Sequence, residues 1–299
     1  MSQAYFITAI GTPLTEDEEL HQEGLEIQLA DQWSAGINGI LIAGTMGAMQ
    51  LLTDQTYRRL VERSVDLSKG KGEVLVGAGD AGFARTRDRI LFLNQFKIDG
   101  VAVLAPFFWK LGQDLLVEYF SSLADVSKAP LYLYDLPQVT GTKLSMETIL
   151  TLAKHPNIPG IKASCPIEFT RSLKDKLGDS FRVIIANAFL VDMLLRFGLY
   201  NQLDGMWAIG PRWTVGIGRC AAENDWEGAA SNQQKMVKLK EDVIFKYGFG
   251  GFTAAMNARG IPGRFAPRPF ASLSGQKLEQ FINEPIVQRL IREDPAQSG

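Results

Sequence analysis

The chain reads as an α/β protein, a (β/α)8 barrel followed by a helical C-terminal extension. Three observations predict this. Eight short runs occur, most of them continuously apolar instead of alternating, amphipathic stripes separate them, and beyond Cys220 only helical windows remain.

The candidate strands, in order, are Tyr5–Ala9, Gly39–Ala43, Val74–Gly77, Gly100–Leu104, Leu131–Tyr134, Gly160–Ala163, Arg182–Ala186 and Gly205–Ile209. Parallel strands covered on both faces need apolar side chains on both, which explains the missing alternation. The intervening helices show as four-residue stripes: Leu25, Leu29 and Trp33; Tyr57, Val61 and Val65; Leu116 and Phe120; Phe169, Leu173 and Leu177. After Cys220 come windows over 225–247, 253–258 and 276–291, with a connector from Gly260 to Pro269 that holds three prolines. The expected division is a barrel over 1–222 and a helical domain over 223–299, with no flexible linker between them.

Composition narrows the function. The 299 residues are 46% hydrophobic and 21% charged, which suits one large barrel with an extension. Net charge is -2 and the basic residues are scattered, so neither nucleic acid nor an anionic membrane is an expected partner. Met1–Ile10 lacks the pattern of a secretory signal, and the apolar segment Val101–Trp109 is interrupted by Pro106 and too short to span a bilayer. The two cysteines, Cys165 and Cys220, do not make a disulfide framework, and a cytoplasmic location is expected.

Gly77-Ala78-Gly79-Asp80-Ala81-Gly82 matches a dinucleotide glycine fingerprint between strand and helix. It falls in the third βα unit, and no acid ends the next strand, so it reads as a tight turn. His21 and His155 have no second ligand at metal-binding spacing, and no G-x-S-x-G elbow is present. No metal or other cofactor is therefore expected.

The stronger signals lie at strand ends. Ile161-Lys162-Ala163-Ser164 puts a lysine in an apolar strand, where burial disfavours an ammonium and leaves an amine able to attack carbonyls. A lysine whose head reaches the surface is the bland alternative. Tyr134-Asp135-Leu136-Pro137 ends the fifth strand with a phenol able to exchange protons, or with a simple core aromatic. Gly44-Thr45-Met46-Gly47 follows the second strand, and its glycines allow successive N–H groups to point at a carboxylate; an ordinary loop explains it equally well. All three fall where barrels carry their chemistry, and an amine, a phenol and an anion cradle together describe imine chemistry on a 2-oxo acid.

With these residues the chain resembles the dihydrodipicolinate synthase / N-acetylneuraminate lyase family. The resemblance runs from Ala9-Ile10-Gly11-Thr12-Pro13-Leu14 through Gly39–Gly47 and Leu52-Thr53 to Tyr134–Pro137, Thr140-Gly141 and Ile161–Ser164. It implies a barrel with a three-helix C-terminal domain, assembled as a homotetramer of tight dimers, and imine chemistry that needs no metal. It also implies Lys162 as the imine former, Tyr134 as proton donor and acceptor, and Thr45 as the residue holding the tyrosine hydroxyl. The N–H groups of Thr45 and Met46, after Gly44, would bind the substrate carboxylate. Asn187 and the backbone carbonyl of Trp207 would line the site.

Some positions depart from the family pattern. Met46 and Ala48 replace a second hydroxyl and a glutamate of the glycine loop. The synthases use a second tyrosine from the neighbouring subunit in the proton relay, and Pro106-Phe107-Phe108-Trp109 has no tyrosine; Phe108 is a candidate substrate contact. Val139 occupies the place of the arginine that holds the synthases' second substrate. Met46, Met49, Phe107, Phe108, Trp109, Val139 and Trp207 offer few hydroxyl partners to a sugar acid. The reading is a metal-independent lyase or aldolase that acts on pyruvate or a related 2-oxo acid by aldol cleavage, condensation or dehydration. Synthase-type condensation with an aldehyde, and a degenerate barrel that only binds a 2-oxo acid, are the alternatives.

Overall fold

A computed structural model describes residues 3–297. Eight strands, β1 Tyr5–Ala9, β2 Gly39–Ile42, β3 Glu73–Gly77, β4 Gly100–Leu104, β5 Leu131–Asp135, β6 Gly160–Ala163, β7 Arg182–Ile185 and β8 Asn201–Asp204, close into a parallel barrel in sequence order. The connecting helices are α1 Gln22–Ser34, α2 Asp54–Leu67, α3 Phe83–Leu93, α4 Gln113–Val126, the single turn α5 Pro137–Thr140, α6 Met146–Leu152, α7 Ile167–Leu177, α8 Val191–Arg196 and α9 Pro211–Ala222. The C-terminal segment adds α10 Trp226–Leu239, a π-helical stretch Lys240–Phe245, α11 Lys246–Ala258, α12 Gly275–Ile282 and α13 Pro285–Glu293.

The strand expectations hold to within a residue or two, with one correction. The eighth strand is Asn201–Asp204, upstream of the apolar run chosen from sequence. The Asp204 carboxylate accepts the Met206 N–H at 2.9 Å and turns the chain into a 3-10 helix over Met206–Ala208. That run is apolar because it packs into the core, not because it pairs as a strand. The 276–291 window is two helices, since Pro285 begins α13 after a break at Asn283 and Glu284.

Two units make up the chain, one from Met1–Gly72 with Asn187–Gly299 and the other from Glu73–Ala186. In the first, Phe6, Trp207, Trp213, Phe252, Phe265 and Phe281 belong to one apolar cluster that ties β1 and the 206–208 turn to the C-terminal helices. Full burial of each such side chain contributes about 1.5–3 kcal/mol. A buried charge network sits in the same unit: Arg259 and Arg212 both pair with Asp31 and Asp294. In the second unit β3 to β7 pair in parallel register, with Tyr134 opposite Lys162 and Tyr132 opposite Gly160.

Candidate active site

Register and alternation position Lys162. Successive side chains of a strand point to opposite faces, so Tyr132 and Tyr134 share a face of β5, and Gly160 and Lys162 share the matching face of β6. The Tyr132 ring fills the lower layer: a Cβ at Gly160 would lie 2.8 Å from it and one at Gly100 2.7 Å, so glycine at both positions makes room for the ring. Arg182 donates to both carboxylate oxygens of Glu73, at 2.5 and 3.0 Å. One layer further toward the carboxyl ends stand Tyr134, 6% exposed, and Lys162, 5% exposed.

The Lys162 Nζ donates to Ser164 Oγ at 3.1 Å and lies 3.8 Å from the Tyr134 ring centroid. No carboxylate of the described residues pairs with it. The adjacent Lys143 is held differently: its ammonium pairs with the fully buried Asp135 carboxylate and lies 3.7 Å over the Phe169 ring. Asp135 also accepts the Leu144 N–H at 3.2 Å, while its carbonyl accepts the Ser164 N–H at 2.9 Å. Asp135 thus fixes both the loop before α6 and the turn that carries Ser164. Its charge interrupting an apolar strand was the sequence signal for this role, and Ser164 stood inside the lysine motif without one. Cys165 is half-buried beside this cluster, where burial pushes its thiol pKa up.

The glycine loop lies in the other unit. Ala43 (φ 51°) and Ala48 (φ 53°) bracket Gly44-Thr45-Met46-Gly47 in the left-handed region, a strained conformation for a residue with a Cβ. Ala48 N–H returns to Thr45 O at 3.1 Å, and Thr12 Oγ1 donates to Gly47 O at 2.6 Å. The Met46 N–H has no acceptor among the described residues. The Met46 side chain covers Gly205, where a Cβ would come within 2.6 Å of its Cε. The loop after β2 therefore lies against the end of β8. The Trp207 ring is 1% exposed and packs edge-on against Phe6 at 5.2 Å, so this side chain is core and only its backbone is placed to serve a site. Asn187 Oδ1 accepts the Phe189 N–H at 3.1 Å in the loop after β7. Phe108, at φ 85°, and Val139 are 86% and 52% exposed.

The structure brings Lys162 and Tyr134 together in one unit, and Gly44, Thr45, Met46 and the Trp207 segment together in the other. In the Gly77–Gly82 turn, Asp80 is buried, accepts the Ala81 N–H at 2.6 Å and pairs with Arg85 and Arg89. The Asp80 carboxylate and the two arginines are thus engaged with one another within the turn. His21 caps α1 by accepting the Gly24 N–H, and His155 bonds Asp125. No group of three potential metal ligands occurs among the described residues. No helix among them is long and apolar enough to cross a membrane.

A 4-hydroxy-tetrahydrodipicolinate synthase of Exiguobacterium sibiricum is 29% identical over 233 residues, 78% of this chain and 80% of that protein. Two solved structures share the fold. Proteus mirabilis N-acetylneuraminate lyase superposes with a TM-score of 0.87 at 20% identity, covering 97% of this chain and 99% of its own. The 2-keto-3-deoxygluconate aldolase of Sulfolobus solfataricus, in complex with D-KDPG, gives 0.87 at 21% identity over 98% and 99%. The model of the dihydrodipicolinate synthetase family matches residues 3–285, and the chain belongs to that family.

Proposed function

We propose that the protein is a lyase or aldolase that binds pyruvate or a related 2-oxo acid as an imine on Lys162. The observation that carries this reading is a lysine with 5% exposure, facing a tyrosine ring and a serine hydroxyl, with no carboxylate partner among the described residues. A lysine held in no ion pair leaves its Nζ available to add to a carbonyl. Nζ adds to the C2 carbonyl and the oxygen leaves as water. The imine then takes up the electron pair released when the C3–C4 bond or a C3–H bond breaks. Tyr134 moves the proton at the reacting atoms, Thr45 holds its hydroxyl, and the Thr45 and Met46 N–H groups after Gly44 bind the carboxylate. Asn187, the Trp207 backbone, Val139 and Phe108 complete the substrate contacts. None of these steps requires a metal or other cofactor.

A second reading, condensation of pyruvate with aspartate semialdehyde, is favoured by the names of the curated relatives. It is opposed by Val139, a side chain that cannot pair with a second carboxylate. In the cell we place the protein in the cytoplasm. We also propose a homo-oligomer, a dimer of dimers, with a barrel over 1–222 and helical domain over 223–299. Its support is Phe108 and Trp109, 86% and 75% exposed and stacked edge-on at 5.5 Å, too large an aromatic pair to leave in water.

Borohydride trapping with pyruvate, read by intact mass and peptide mapping, is the test. A reduced pyruvyl adduct on Lys162, lost in Lys162→Ala, is the expected result. A folded protein without adduct would remove the imine and leave a degenerate barrel. Aspartate semialdehyde turnover would establish the second reading.

A further inference from the structure

The turn after β6 places a hydroxyl against Lys162. Ser164 is half-buried, and its backbone is fixed at both polar groups. Its N–H donates to Asp135 O at 2.9 Å, and its carbonyl accepts Gln138 Nε2, from the single turn α5, at 3.2 Å. Its Oγ accepts Lys162 Nζ at 3.1 Å. All of these residues lie within the unit Glu73–Ala186.

The other polar groups of this cluster face elsewhere. Tyr134 turns the face of its ring to Nζ, with the centroid 3.8 Å away. The Asp135 carboxylate is taken by the Lys143 ammonium and the Leu144 N–H. The Cys165 thiol meets Thr170 Oγ1 at 3.4 Å, and burial pushes its pKa up. The Ser164 hydroxyl, by contrast, carries one donor and two acceptor lone pairs, and it stands within the distance at which a proton can pass to or from Nζ.

Addition of an amine to a carbonyl leaves positive charge on nitrogen and negative charge on oxygen, so a proton must move from one to the other. A direct transfer closes a small, strained ring, and a hydroxyl between the two atoms opens it. We propose that Ser164 is a catalytic residue that shuttles this proton. The Nζ lone pair forms the bond to C2 and the carbonyl π pair moves to oxygen. Oγ takes the proton that Nζ sheds while its own proton passes to the C2 oxygen. The products are the carbinolamine and an unchanged serine, and the carbinolamine then loses that oxygen as water. The proposal deepens the preceding reading and rests on the Lys162 imine. It gives Ser164 the transfer from nitrogen to oxygen and leaves Tyr134 the transfer at carbon.

The experiment mixes the protein rapidly with pyruvate, quenches with borohydride at timed intervals and reads the adduct by intact mass. Ser164→Ala removes the hydroxyl and keeps both backbone hydrogen bonds. Its adduct should form about 10²-fold more slowly, the low end for a positioned proton-transfer group, while the final amount at saturating pyruvate stays near that of wild type. Ser164→Thr keeps a hydroxyl and should recover most of the rate. In mixtures of light and heavy water the wild-type rate should fall along a curve, because two protons move in one step. That curvature should be lost in Ser164→Ala, a change that a merely positional hydroxyl would not produce. A wild-type rate in folded Ser164→Ala would overturn the assignment and leave the imine standing. So would a slowing that Ser164→Thr does not recover, or a straight-line response of wild type to heavy water. No adduct in wild type would remove both readings.

Discussion

Replacing Arg259 with methionine tests whether the buried charge network holds the C-terminal segment. The Arg259 side chain is fully buried and makes four hydrogen bonds: to Asp31 Oδ2 at 2.7 Å, Asp294 Oδ1 at 3.1 Å, Asp294 O at 2.6 Å and Ala208 O at 3.2 Å. Methionine fills similar space and donates none of them. Arg212, at 2.7 Å from Asp31 and 2.8 Å from Asp294, would then be the one guanidinium shared by two buried carboxylates. Removing one partner of a buried ion pair costs about 3–5 kcal/mol, and that is the expected loss. Urea unfolding followed by fluorescence and circular dichroism measures it, with coincident transitions checking two-state behaviour. The pH dependence adds a second readout. Burial pushes the Asp294 carboxyl above its ordinary pKa, against the pull of Arg259 and Arg212. A raised acid binds its proton more tightly folded than unfolded, so its contribution is full at low pH and lost as pH rises through the folded value. Without Arg259 the carboxyl rises further, so the deficit of the variant against wild type should be smaller near pH 5 than near pH 7.5. A deficit under about 1 kcal/mol, below the range for a broken buried pair, would refute the reasoning. So would a deficit that grows on acidification.

Tyr134→Phe should still form the pyruvate adduct but lose about 10²–10⁴-fold in turnover of any acid found to react, the usual contribution of a positioned proton-transfer group. Equal turnover in steady-state assays would take the proton role from Tyr134. Gly205→Ala should lose about 1–3 kcal/mol in thermal or urea unfolding, since its methyl meets Met46 at 2.6 Å, and Met46→Ala in the same chain should recover most of it. Purely additive effects would refute the contact. Lys143→Met strands the buried Asp135 carboxylate and should destabilise by about 1–3 kcal/mol, reduced from the fully buried case because the lysine is 35% exposed. Lys162→Met removes a lysine that pairs with no carboxylate, so its melting temperature should equal or exceed that of wild type. A drop as large as that of Lys143→Met would contradict the contrast between the two sites.

Much of the fold was legible because parallel strands covered on both faces leave continuous apolar runs, and seven of them fall within a residue of the observed bounds. The eighth shows the limit of that signal. Gly205-Met206-Trp207-Ala208-Ile209 is as apolar as any strand, yet it turns into a 3-10 helix whose Met206 N–H donates to the Asp204 carboxylate. Apolarity reports burial, and burial alone does not separate a strand from a buried turn. At the site, the lysine and tyrosine motifs were readable because a polar group in an apolar strand is costly. Their partners were not. That Ser164 and not a carboxylate meets Lys162 depends on the turn after β6, and that Asp135 grips Lys143 depends on a loop closing across several residues.

Two lysines show what the sequence withholds and the structure supplies. Lys143 and Lys162 are the same residue with the same intrinsic chemistry. Lys143 has a buried carboxylate and an aromatic ring, so its charge is satisfied and its task is to hold a loop. Lys162 has a serine and a tyrosine ring and, among the described residues, no counter-charge. The partner set therefore separates a lysine spent on a buried ion pair from one with no ion pair to break, and only the second leaves its Nζ available to a carbonyl. A carboxylate introduced next to Lys162 would convert it into the first kind.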